Sequence, residues 1–152
     1  MTALTAIACV GAALVGGVWF AFSGFVMQAL ARLPAAHGAA AMQAINVTAV
    51  RPPLMLAMFG TAAVCVAAVV AALTGDGDGT GWIVAGAVLY LAGTVGVTIG
   101  GNVPLNDALA RVAAEDAGDL WAGYQDRWTA WNTVRGVTAA AAAAAFAVAL
   151  AS

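Results

Sequence analysis

The side chains best suited to ligand chemistry form a regular series near the start of the last apolar segment, in WAGYQDRWTAWNTVR (residues 121–135). Four aromatic residues and an arginine follow one another at spacings of 3, 4, 3 and 4: Trp121, Tyr124, Trp128, Trp131 and Arg135. This spacing places them on one face of a helix. One interpretation is an aromatic belt at a membrane surface, where Trp and Tyr are enriched. The other is a flat wall for a planar ligand, with Asn132 and the arginine beside it.

A second polar stretch, GGNVPLND (residues 100–107), closes a long apolar run. Asn102 and Asn106 can bond the carbonyl groups left unpaired at a helix end, and Pro104 can stop the helix there. A helix end does not require Asp107 as well. The alternative interpretation is therefore a polar pocket to which these side chains contribute.

The elements that must position both stretches are membrane helices. Of the 152 residues, 64% are hydrophobic and 8% are charged, which excludes an ordinary soluble domain. A helix needs about 20 apolar residues to span a bilayer. Four segments meet or approach that length: residues 3–30, 54–73, 82–101 and 133–151. We predict an all-α, polytopic membrane protein whose residues 1–152 form one four-helix bundle.

Two of the three connections are predicted to contain short helices. The first, residues 31–53, is too apolar for a solvated loop, and Pro34 suits the first turn of an interfacial helix. The third contains helical patterns over residues 105–114 and 116–131, and the latter runs into the fourth span. The second, TGDGDGTG (residues 74–81), is typical of a glycine turn.

Arg135 lies a few residues inside the fourth span. At full depth an arginine costs about 2.5 to 3.5 kcal/mol unless it reaches the interface or finds a partner. We therefore expect an ion pair with Asp107 or Asp126.

The charge distribution predicts an orientation. All five arginines lie in or next to the first and third connections: Arg32, Arg51, Arg111, Arg127 and Arg135. The positive-inside rule makes these loops cytoplasmic and places both termini outside. The absence of lysine beside abundant Ala, Gly and Val suggests a bacterial protein, and hence the cytoplasmic membrane.

Several partner classes are disfavoured by the composition. No basic patch suits nucleic acid. One histidine and two cysteines, Cys9 and Cys65, make a metal site within one chain unexpected. Small residues at four-residue spacing, as in Ala13, Gly17 and Ala21 or in Ala92, Gly96 and Gly100, allow close packing of helices and, in a homo-oligomer, of two copies.

The polar side chains converge at the arginine-rich ends of the predicted helices. They are Asn46, Arg51, Asn102, Asn106, Asp107, Asn132 and Arg135. A polar pocket at one mouth of an apolar bundle is the predicted result.

Four elements resemble the anthrone oxygenase family of small four-helix membrane proteins. They are FSGFVM (residues 22–27), AMQAINV (41–47), NVPLND (102–107) and RWTAWNTVR (127–135), in the same order along nearly the whole chain. Gln28 departs from the proline that members usually have after FVM. His37 also lies outside the family pattern.

The resemblance implies oxidation of a polyketide anthrone to an anthraquinone by O2, with no cofactor. An anthrone loses a proton to give a delocalised anion, which can pass an electron to O2, so a base and an oxyanion clamp are needed. The residues expected to be catalytic are Asp107 as the base and Arg135 with Asn132 as the clamp. The residues expected to bind substrate are Asn46, Arg51, Asn102, Asn106, Trp128 and Trp131, with Asn102 also part of the clamp and the two tryptophans as the wall.

Two alternatives accompany this interpretation. His37 can take the place of Asp107 as the base. The pocket can also belong to a membrane module that binds a lipid, a quinone or a protein and catalyses nothing. The expected partners are therefore membrane lipid, a hydrophobic aromatic molecule with O2, and a second copy of the chain.

Overall fold

The described part of the computed structural model, residues 1–75 and 78–152, forms five helices. They are α1 (Thr2–Leu30), α2 (Ala35–Ala49), α3 (Leu54–Leu73), α4 (Thr80–Ala110) and α5 (Gly118–Ala151). All except α2 are long and apolar enough to cross a membrane. The chain is thus an all-α, multi-pass membrane protein, as predicted. Asp76 and Gly77 of the predicted glycine turn lie outside the described residues, and Gly79 beside them adopts a left-handed φ of 79°.

The four long helices form a closed ring in which each helix packs against two others, in the order α1, α3, α4, α5. The contacts fix the directions of the helices. Cys9 Sγ on α1 lies 3.4 Å from the carbonyl oxygen of Ala143, whereas Asn132 Nδ2 lies 2.7 Å from that of Trp19. Residue numbers therefore rise along α1 as they fall along α5, which makes the two helices antiparallel. This pairing brings the polar segment of α5 against the second half of α1.

Apolar side chains cover much of the outer surface of the ring. Leu14, Phe20 and Val137 are 60%, 74% and 63% exposed. Such exposure is unfavourable in water but suits contact with lipid chains. The outer surface therefore agrees with the assignment of the four long helices as membrane spans.

The close helix contacts involve different small residues from those predicted. Ala13, Gly17, Ala92, Gly96 and Gly100 are all exposed. The neighbouring positions are close instead: a methyl group at Gly93 would lie 2.5 Å from Thr138 Cβ, and one at Gly16 would lie 3.3 Å from Ala139 Cβ. The predicted face was wrong by one residue, because glycines and alanines are so frequent that their spacing does not distinguish the two sides of a helix.

α2 lies across one end of the ring and forms a second hydrophobic core there. Met42 of α2 is buried with Met27 of α1, Leu109 of α4 and Trp121 of α5. Gln43 on the same helix donates hydrogen bonds to the carbonyl oxygens of Leu109 and Val112 at 2.8 and 2.9 Å. The short helix therefore closes the end of the bundle at which the polar residues gather.

Pro104 does not end α4, contrary to the prediction. α4 contains two π-helical turns, Leu89–Gly96 and Thr98–Asn102, and the proline follows the second one at the start of the α-helical segment Val103–Ala110. A proline lacks an N–H and crowds the preceding turn, but it is tolerated at the start of an α-helical segment. The helix therefore continues to Ala110, and Asn106 and Asp107 lie on the same helix as the third span rather than on a separate short one.

Candidate functional site

Arg135 is the central residue of the site. It lies near the middle of the 34-residue helix α5 and is only 3% exposed. Its Nε and Nη2 atoms donate to Asn132 Oδ1 at 3.1 and 2.8 Å, and its Nη1 atom donates to Thr98 Oγ1 at 3.2 Å. A guanidinium group has five N–H donors. Two of them therefore have no acceptor in the described part of the chain.

The predicted ion pair with Asp107 or Asp126 is wrong. Both carboxylates are on exposed residues, and Arg135 contacts neither of them. Its cation instead lies against two indole rings, with Cζ 3.6 Å from the ring centroid of Trp19 and 5.2 Å from that of Trp128. Aromatic faces stabilise a desolvated cation by about 2 kcal/mol or more without neutralising its charge.

Asn132 holds the guanidinium in place. Its Oδ1 atom accepts from Arg135, which can only donate, so the orientation of the amide is determined chemically. Its Nδ2 atom then donates to the carbonyl oxygen of Trp19 and to Ser23 Oγ, both at 2.7 Å. The neutral amide thus links α5 to α1 and leaves the charge of the arginine uncompensated.

Thr98 holds the opposite side of the guanidinium. Its hydroxyl donates to the carbonyl oxygen of Thr94 at 2.7 Å, which leaves a lone pair on Oγ1 to accept from Arg135. Thr98 is the first residue of the π-helical turn Thr98–Asn102. That turn also carries Asn102, whose Nδ2 donates to the carbonyl oxygen of Trp128 at 3.1 Å.

Asn106 is the second polar centre. Its Oδ1 atom accepts from the Tyr124 hydroxyl at 2.9 Å and from Trp128 Nε1 at 2.8 Å. Asn46 of α2 extends this network, because its Nδ2 atom lies 3.5 Å from the same tyrosine oxygen. The rings of Trp121 and Tyr124 stack at 5.5 Å, and those of Tyr124 and Trp128 at 6.4 Å. These contacts hold the three aromatic rings of α5 in fixed positions beside Asn106.

A cavity of about 150 Å³ lies between the two polar centres. Its polar and aromatic wall consists of Trp19, Phe22, Asn46, Phe59, Thr98, Asn106, Trp128 and Arg135, and the remaining lining residues are apolar, mostly methionines and branched side chains. Trp19 also carries a buried Nε1–H that has no acceptor in the described chain. The described wall contains unused N–H groups but no carboxylate and no histidine, so it suits a molecule with electron-rich oxygen atoms.

A larger apolar groove, of about 680 Å³, lies beside the cavity at the junction of α1, α2 and α3. The groove and the cavity share four wall residues: Phe22, Ile45, Ala49 and Leu54. Arg51 lines the groove but not the cavity. Another groove, of about 490 Å³ on the outer side of α1 and α5, is bordered by Trp19 and Asn132 but not by Arg135.

The predicted site residues fall into three groups. Those that line the cavity are Asn46, Asn106, Trp128 and Arg135. Those that are buried behind it and hold its wall are Asn102 and Asn132. Those that are exposed and outside it are Arg51, Asp107 and Trp131.

Trp131 is the clearest misplacement in the predicted aromatic wall. It is 43% exposed and covers Gly101, where a methyl group would lie 2.8 Å from Trp131 Cγ. Asn132 takes the inward position instead, four residues after Trp128 and three before Arg135. Helical spacing allows either residue to face the interior of the bundle. The positions of α1 and α4 around α5 determine that Asn132 does.

Two important residues were not predicted at all. Trp19 lies under the guanidinium group, and Thr98 bonds to it. A tryptophan one turn before the FSGFVM element of α1 was a weak signal for the first. The threonine carried no signal, because hydroxyl groups are common in membrane helices, where they bond to the backbone of the preceding turn.

The fold and the site define a class: a four-span membrane protein with an aromatic cavity at one end of its bundle and a buried arginine that no carboxylate of the described residues neutralises. Within that class, the chain belongs to the anthrone oxygenase family, because residues 53–145, well over half of its length, match the family model described as anthrone oxygenase. The match includes Asn106, Asn132 and Arg135. The FSGFVM and AMQAINV elements precede it. No curated protein and no solved structure matches the chain.

Proposed function

We propose that the protein binds a flat, acidic aromatic compound in the cavity as its oxyanion and promotes oxidation of this compound by O2 to a quinone. The observation that carries the proposal is the buried Arg135, whose charge no carboxylate of the described chain neutralises. A charge at this depth is costly, and a functional role is the default interpretation of such a residue. An aromatic oxyanion supplies the missing negative charge and stacks on the indole rings.

The oxidation balances with O2 as the only other reactant. An anthrone carries a CH₂ group between its two benzo rings, opposite the ketone. Loss of one proton from this carbon gives an anion whose charge is delocalised onto the ketone oxygen. The carbon then gives up four electrons and both hydrogens: one oxygen atom of O2 becomes the new carbonyl oxygen, and the other leaves as water. Stabilising the oxyanion therefore favours the first and decisive step.

Acid–base chemistry in this scheme depends on the arginine more than on a base. Asp107 is exposed and does not line the cavity, so the substrate does not transfer its proton directly to this carboxylate. His37 lies in the first turns of α2, and it does not line the cavity either. A cation in a site of low dielectric lowers the pKa of a bound phenol or enol, so water that reaches the cavity is a sufficient acceptor for the proton.

The apolar groove supports entry of the substrate from the lipid. Aromatic ketones concentrate in the bilayer, and the groove shares four wall residues with the cavity. The cavity is also the smaller of the two, at about 150 Å³ against about 680 Å³. A substrate with three rings therefore places its oxygen-bearing end in the cavity and extends into the groove.

The test is turnover of anthrone by detergent-purified protein, followed by O2 uptake and by quinone absorbance. Arg135→Ala is expected to reduce the rate to that of the protein-free blank, which matters because anthrones oxidise spontaneously. Arg127→Ala provides a matched control, since Arg127 lies eight residues earlier on α5 and is exposed; its rate is expected to equal that of the wild type. Wild-type turnover by the Arg135→Ala variant would refute the proposal.

The same experiment separates the second candidate, a membrane protein that binds a quinone and catalyses no reaction. Its support is the set of unused N–H groups beside an apolar groove, which suits a quinone head and its hydrophobic tail. Binding of anthraquinone that is lost in Arg135→Ala, together with turnover equal to the blank, would favour this function over oxidation.

A further inference from the structure

The amide of Asn106 has an orientation that its neighbours impose. Its Oδ1 atom lies 2.8 Å from Trp128 Nε1. An indole nitrogen can only donate, so the amide oxygen and not the amide nitrogen must face it. The Tyr124 hydroxyl donates to the same oxygen at 2.9 Å. The Nδ2 group therefore faces away from both aromatic residues, and it has no acceptor in the described chain.

This free amide and the free N–H groups of Arg135 belong to one cavity wall. They are also related through a single ring. Arg135 Cζ lies 5.2 Å from the ring centroid of Trp128, and Asn106 bonds to the nitrogen of that ring. The two donors thus lie around the same ring, the guanidinium over its face and the amide beyond its N–H edge. A planar ligand that lies along Trp128 can reach both of them.

We propose that the cavity selects fused-ring aromatic compounds with two oxygen functions, one bound as an oxyanion by Arg135 and the other accepting a hydrogen bond from Asn106 Nδ2. The proposal rests on the function proposed above and adds to its oxyanion site a second point of recognition, at Asn106. Asn106 is then the residue that determines specificity. A ligand with a single oxygen leaves the amide donor of the cavity wall without a partner, and sites built to bond a particular oxygen discriminate against analogues that lack it.

The experiment compares two matched probes, 2-naphthol with one oxygen and 2,6-dihydroxynaphthalene with two. Binding is measured under argon by equilibrium dialysis of protein in micelles. Arg135→Ala provides the background for partition of the probes into detergent. Wild-type protein is expected to bind the dihydroxy probe about three- to tenfold more tightly, which is the usual net contribution of one hydrogen bond.

Three variants distinguish recognition from mere support of the fold. Asn106→Ala removes the whole amide. Asn106→Leu keeps the approximate volume of the side chain but offers neither a donor nor an acceptor, and both variants are expected to bring the ratio of the two affinities to about one. Tyr124→Phe deletes one of the two bonds that hold Asn106 and leaves the Trp128 bond, so it is expected to keep the preference. Each ratio compares the two probes on the same variant, so a loss of affinity that affects both probes equally leaves the ratio unchanged.

Each outcome decides the matter. A wild-type preference that disappears in both Asn106 variants and persists in Tyr124→Phe supports the inference. Equal affinities in the wild type, a preference that survives in both Asn106 variants, or its loss in Tyr124→Phe as well, would overturn it while leaving the proposed function intact. Binding of neither probe above the Arg135→Ala background would overturn the proposed aromatic site and this inference together.

Discussion

Replacing Asn132 with aspartate is the sharpest test of the idea that the arginine is kept unneutralised for a ligand. Asn132→Asp preserves the shape of the side chain and the oxygen that accepts from Nε and Nη2 of Arg135. It also introduces a negative charge in contact with the guanidinium. The ligand and the new carboxylate then compete for the same cation, and we expect affinity for aromatic oxyanions to fall.

The size of the effect follows from the geometry. Two unit charges about 4 Å apart interact by about 4 kcal/mol at an effective dielectric constant of about 20. The bonded carboxylate cancels most of this attraction at the position of the ligand. A loss of about 2 to 3 kcal/mol in binding free energy corresponds to about 30- to 150-fold in Kd.

Asn132→Leu provides the matched control. It removes all four hydrogen bonds of the amide, namely two from Arg135, one to the carbonyl oxygen of Trp19 and one to Ser23 Oγ. At about 1 kcal/mol for each bond, the expected loss of stability is about 3 to 5 kcal/mol. The charge of the arginine remains, so folded protein is expected to lose less than about tenfold in affinity. The aspartate variant is expected to be the weaker binder of the two.

The assay measures binding of 2-naphthol and of its methyl ether, which cannot ionise, together with the thermal unfolding of each variant in detergent. Preference for the naphthol is expected in the wild type and in Asn132→Leu, and it is expected to be lost in Asn132→Asp. An Asn132→Asp protein that stays folded and binds the naphthol as tightly as the wild type does would refute the reasoning, because the charge of Arg135 would then have no part in binding.

Three further predictions concern the base, the entry groove and the helix contacts. Asp107→Asn is expected to keep turnover within about twofold of wild type, since Asp107 is exposed and outside the cavity; a loss of more than about 100-fold, the usual contribution of a general base, would restore it as the base. Ala49→Phe, in the wall shared by groove and cavity, is expected to raise the KM for anthrone. Ala44→Phe, in the groove alone, is expected to raise it less. Equal KM values for the two variants would argue against entry by this path. Gly93→Ala is expected to lower stability by about 1 to 3 kcal/mol through overpacking against Thr138, whereas Gly96→Ala, with no side chain within 4 Å, is expected to be neutral or stabilising in thermal unfolding.

The candidate site was partly predictable because arginine and asparagine are rare in apolar segments. Arg135 could be identified from its position alone, since a charge inside a membrane span is costly and indicates a partner or a function. Its partners could not be identified in the same way. Either predicted carboxylate could neutralise the arginine, yet Asn132 and two indole rings surround the guanidinium instead. Which side chain meets a buried cation depends on the rotation of α1 and α4 about their axes, and composition carries no information on that rotation.

The amino-acid sequence by itself determined the four spans, the short helix between the first two and the continuity of α5 from its aromatic segment into the membrane. These features follow from local hydropathy and helical periodicity, because a bilayer requires each spanning segment to satisfy its own backbone hydrogen bonds. Only the tertiary structure decided that α4 continues past Pro104, that Asn132 and not Trp131 faces inward, and that Trp19 meets Arg135. The last two features depend on contacts between residues more than 100 positions apart, as in the bond from Asn132 to the carbonyl oxygen of Trp19. Local patterns constrain one helix at a time, whereas a site between helices is set by the way their surfaces fit together.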